Sequence, residues 1–126
     1  MHKYNPAKTP KAEEWLALDE STRLELINVF HRHHGEFGES LEAHAGFHAV
    51  VETQLAMNVP NARDTLGRLR KSGLSRHDAV HAIGSVVAEH MHDMSDADFD
   101  PDEANERYYE RLRNFTGEDW QMREPR

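Results

Sequence analysis

The chain contains no cysteine. Disulfide bonds, thiolate metal sites and cysteine nucleophiles are therefore excluded, and any metal ion must be held by His, Asp or Glu. Cationic residues are in deficit. The 15 Lys and Arg against 23 Asp and Glu leave a formal net charge of −8 with neutral histidine, which argues against a nucleic-acid partner, because phosphate backbones are met by clustered Lys and Arg. Long apolar runs are missing too. Nothing approaches the ~18 apolar residues of a membrane span, and the opening MHKYNPAKTPKAEEW carries no apolar core of a signal peptide. A cytoplasmic protein with no membrane partner is the expectation. Alternating Val/Ile/Thr/Tyr runs bounded by turn residues are absent, so strands are not expected. Gly-x-Ser-x-Gly, a phosphate loop and a dinucleotide fingerprint are absent as well; Ser75 reads as a helix N-cap.

What is present is helical. At 126 residues, 37% hydrophobic and 30% charged, the chain is one domain's worth and is not polar enough to stay disordered. Thr9-Pro10 opens a short helix carrying Trp15, Leu16 and Leu18, with Pro at the first helical position. Asp19 or Ser21 caps a second helix over 20–34, closed by Gly35. A third runs over 40–58 and is stopped by Pro60. A fourth covers 62–71. Ser75 caps a fifth over 76–94. A sixth, over 102–115, aligns Ala104, Tyr108, Leu112 and Phe115. The connections are short, so neighbouring helices are expected antiparallel. The expectation is an all-α single domain over 1–126, a compact bundle of about five to six helices, with its core over 10–115 and a tail from 117 that is loose apart from Trp120.

Ten histidines stand in this chain, and their spacing is not random. "AHAGFHAVVETQLA" and "RHDAVHAIGSVVAEHMH" each contain His, three residues, His, then Ala. Residues four apart on a helix lie over one another on one face and can hold one cation together. At about 100° per residue, His44 and His48 fall within the apolar arc of Leu41, Phe47, Val50, Val51 and Leu55, with Glu52 at its edge. His77 and His81 flank the apolar face of Val80, Ile83, Val86, Val87 and Met91, beside Gly84 and Ala88, whose small side chains admit a close neighbouring helix. His31 and His34 lie among the inward residues of the second helix and are candidates for added ligands. The metal-ligand set read from spacing is therefore His44, His48, Glu52, His77 and His81. Neutral imidazole suits a divalent transition metal: zinc is the leading candidate, with iron or nickel as alternatives. The Glu-x-x-His pairs of four-helix di-iron proteins are absent.

Two further stretches invite a ligand and are better explained otherwise. "SDADFDPDE" starts like a calcium loop, but Pro101 and Arg107 stand where the loop needs Gly and Glu. The basic residues Arg63, Arg68, Arg70, Lys71 and Arg76 read as a solvated face near a helix C-terminus.

Taken together, a W-L-x-L-D-E opening, an H-x-x-x-H-x-x-x-E-x-Q-L-A helix and a G-L-x-R-H-x-A-x-H-A-I-G helix, spanning Trp15 to His90, resemble an uncharacterised family of small bacterial proteins. The resemblance implies a compact helical domain in a bacterial cytoplasm and brings no activity. Two readings follow. In the first, the histidines hold a metal, with Glu52 as ligand or as orienter of an imidazole; were the centre catalytic, Glu52 would serve as general base. In the second, the chain is a protein–protein interaction module, with a homodimer among its arrangements, and its inward histidines are structural hydrogen-bonders or a pH switch.

Overall fold

The computed structural model describes residues 1, 3–33, 41–96 and 98–123, with backbone alone at 33, 41–44 and 123. Among these residues the chain forms seven helices and no strand: α1 (Ala12–Ala17), α2 (Glu20–His33), α3 (Leu41–Ala56), α4 (Pro60–Lys71), α5 (Arg76–Met94), α6 (Pro101–Asn114) and α7 (Gly117–Arg123). The bundle is all-α, as expected.

Most of the boundaries have a local cause. The Asp19 carboxylate accepts from Thr22 N–H at 2.8 Å and starts α2. Hydrogen bonds from Thr22, its side chain first and this N–H next, hold the exposed Asp19 carboxyl below its usual range. Ser75 accepts from Asp78 N–H at 3.1 Å and starts α5. Asp100 does the same for α6, at Asp102 N–H, 2.9 Å, so the acidic stretch before it is capping chemistry. The third helix ends differently from the expectation. Asn58 adopts φ +58°, its N–H donates to Leu55 O, and Val59 N–H donates to Gln54 O. That pair of bonds is a Schellman terminus, and Pro60, free of an N–H, then starts α4 instead of merely stopping α3. The same pair of bonds closes α4 at Gly73, φ +110°.

Packing is antiparallel where side-chain contacts fix the direction. On α3 and α5, Glu52 meets Arg76 while a Cβ placed on Gly84 would lie 3.5 Å from that of Phe47. On α2 and α3, Arg23 reaches Thr53 while His31 faces His48. Two apolar clusters result. One gathers α3–α7 around Val51, Leu69, Ile83, Leu112, Phe115 and Trp120; the other gathers the N-terminal segment, α1, α2 and α3 around Tyr4, Trp15, Ile27 and Ala45. Of the expected tail, residues 117–123 form α7, and Trp120 is buried in the larger cluster. Ahead of residue 10, Tyr4 and Pro6 are buried as well.

Candidate metal centre

Three helices bring four imidazoles to the seam between the two apolar clusters. His31 comes from the last turns of α2, His48 from the middle of α3, and His77 and His81 from the first turns of α5. One ring nitrogen from each lies within 4.8 Å of one from every other. His31 and His48 are buried, and His77 and His81 are half-buried. Ring centroids are 4.5 Å apart for His48–His81, 4.6 Å for His77–His81 and 5.0 Å for His31–His48. The i, i+4 spacing on α5 stacks His77 and His81 on one face, and the antiparallel α3 sets His48 against both. Phe30 stands edge-on to His77 at 5.5 Å, and Trp120 to His81 at 6.3 Å. Aromatic walls of this kind lower the local dielectric and strengthen any ionic interaction inside.

A zinc ion with nitrogen donors at about 2.0–2.1 Å places them about 3.4 Å from one another in a tetrahedron. Donors spread over no more than 4.8 Å close to that figure by shifts of roughly 1 Å, a matter of side-chain torsion rather than helix movement. The set is all nitrogen, a donor type shared by zinc, iron, nickel and copper.

No family model, curated protein or solved structure matches the chain. Its chemistry is therefore read from the site itself.

Of the residues singled out by spacing, His48, His77 and His81 belong to the group of four. The side chain of His44 and the whole of His34 lie outside the described residues. His31, first seen only as an inward-facing candidate, is the fourth member. Glu52 is buried, but both its oxygens are engaged elsewhere. Arg76 Nη2 donates to Oε1 at 2.7 Å, and Arg76 Nη1 donates to Oε2 at 2.8 Å. Tyr4 O–H also donates to Oε2, at 2.5 Å. Glu52 therefore stands one step behind the histidines, linked to them because Tyr4 also meets His48 Nδ1 at 3.2 Å. Arg76 completes its fork on the carbonyl of Pro6 at 3.0 Å.

Arg76 corrects the reading of the basic stretch as a solvated face. Its side chain is 1% exposed, as is that of Glu52. Burial works against its charge, but the Glu52 pair outweighs burial and holds the guanidinium above its usual pKa. Arg68 is not idle either, because it donates to the Leu112 and Phe115 carbonyls at the C-terminus of α6. Tyr4 was invisible to pattern reading, since it sits in a non-helical segment with no periodicity. Burial, then the adjacent Glu52 charge, pushes its hydroxyl well above the usual 10.0. The remaining α5 groups stand apart: His90 stacks on Tyr108 with centroids 4.8 Å apart, and Glu89 pairs with Arg111 at 3.3 Å.

Proposed function

We propose that this protein is a transition-metal-binding helical domain in which His31, His48, His77 and His81 hold one ion, zinc first and iron or nickel next. The observation that carries the reading is the convergence of four ring nitrogens from three helices within 4.8 Å. The role best supported is structural or metal-sensing. Catalytic zinc keeps three protein ligands and an open position, whereas structural zinc is closed by four. Glu52, the general base that a catalytic centre would use, is already engaged by Arg76 and Tyr4. Such an ion ties α2, through His31, to the α3–α5 pair and so joins the two apolar clusters.

Elemental analysis of untagged protein after gel filtration tests this, alongside a His31→Ala, His81→Ala variant. One equivalent of metal per chain in the wild type, lost in the variant, is expected. At free metal near 100 times Kd, the holo form should gain about 2.7 kcal/mol of stability over the chelated form. A wild-type chain that retains nothing after incubation with zinc, iron and nickel would overturn the reading.

A further inference from the structure

The hydrogen bonds behind the centre run in one direction. Glu52 faces two guanidinium N–H groups of Arg76, so as a carboxylate it accepts and has nothing to donate. Tyr4 owns a single hydroxyl hydrogen, and Glu52 Oε2 takes it. The Tyr4 oxygen has only lone pairs left for its other neighbours, the Arg76 guanidinium and His48 Nδ1 at 3.2 Å. The bond between Tyr4 and His48 forms only if His48 supplies the proton. Donation then runs from His48 to Tyr4 to Glu52, while Arg76 donates to both Glu52 oxygens.

We infer that Tyr4 is a positioning residue that fixes His48 in the Nδ1–H tautomer, so that Nε2, on the opposite edge of the ring, is the nitrogen offered to a metal. A neutral imidazole carries one N–H and one lone pair, and the hydrogen bond made by one nitrogen decides the role of the other. Free neutral histidine prefers the Nε2–H form, whose lone pair would here point at the Tyr4 hydroxyl. The Arg76–Glu52 pair keeps Tyr4 in its donating role and so acts on His48 at one remove. This is the carboxylate–histidine–metal arrangement with a phenol interposed; such outer partners raise ligand basicity and hold ring orientation. The inference assigns a site role to the non-helical N-terminal segment. It rests on the metal-binding reading for its purpose, but the tautomer itself is a property of the metal-free chain.

The test is residue-assigned, long-range proton–nitrogen NMR of the imidazoles in metal-free protein, wild type and Tyr4→Phe, with zinc affinity of both measured by chelator competition. The expected wild-type result is His48 protonated on Nδ1. In Tyr4→Phe the ring should move toward Nε2–H, and zinc binding should weaken about 10- to 100-fold, the usual effect of losing an outer-shell partner. His48 protonated on Nε2 in the wild type would overturn the inference with no variant needed. So would a Tyr4→Phe protein with unchanged tautomer and unchanged affinity. An Nδ1–H ring in a wild type that binds no zinc would sink the metal reading and leave the tautomer assignment standing.

Discussion

Arg76→Met is the most informative single perturbation of the fold. In the native chain Glu52 accepts three hydrogen bonds, two from Arg76 and one from Tyr4, with both charged side chains 1% exposed. Methionine fills much of the same volume and removes two of those bonds, leaving a buried carboxylate with Tyr4 alone. Breaking a buried pair from one side costs about 3–5 kcal/mol. A domain of this length has roughly 6–19 kcal/mol in total, so the loss is a large share, worth on the order of 10–20 °C in Tm. Replacing both partners, Arg76→Met with Glu52→Leu, removes the stranded charge and leaves only the Tyr4 hydroxyl and the Pro6 carbonyl to find new partners, at about 1–3 kcal/mol. The double variant should therefore be more stable than Arg76→Met. Urea unfolding followed by circular dichroism, with chelator present so that metal cannot mask the difference, gives the full cycle. A single variant within 1 kcal/mol of wild type, or a double variant as damaged as the sum of the two singles, would refute the claim that this pair is buried and coupled.

Two other outcomes follow from side chains described above. Trp120→Ala should cost about 3–5 kcal/mol by urea unfolding, the range for a buried large aromatic; a change under 1 kcal/mol would mean that α7 is not docked. Tyr108, buried and bonded to Gln54, is pushed up to about 12, mainly by burial. Because the folded value lies above the unfolded one, its contribution is complete below pH 10 and is lost as pH rises from there toward 12, on the order of 2–3 kcal/mol. Tyr108→Phe should flatten that alkaline loss in a series of melts, and an identical decline in both proteins would count against it.

The helices were legible because their signals are local. Ser75 caps α5 and Gly73 closes α4, and both chemistries depend on residues a few positions apart. Asn58 misled for an equally local reason: a left-handed asparagine ends α3, and the neighbouring proline drew attention from it. The centre was half legible. Period-four spacing exposed His48, His77 and His81, because that spacing is itself a statement about one helix face. His31 has no partner four residues away in the group, so only packing of α2 on α3 and α5 brings it in. Arg76 misled because charge in a basic stretch is ordinarily solvated, and its burial depends on Glu52, 24 residues away in sequence. Tyr4 carries no local signal at all; its place is set by Glu52 and His48.

The four imidazoles are unequally anchored. Three stand on α3 and α5, which the Arg76–Glu52 fork clamps together regardless of any ion, while His31 arrives alone on α2. A captured ion would thus meet three donors already in place and wait for the fourth. Its residence time would be governed by how often α2 lifts away, a partial opening that costs less than global unfolding. Metal exchange would then run on the clock of one helix, and variants that loosen α2 would hasten release while leaving the arrival rate nearly unchanged.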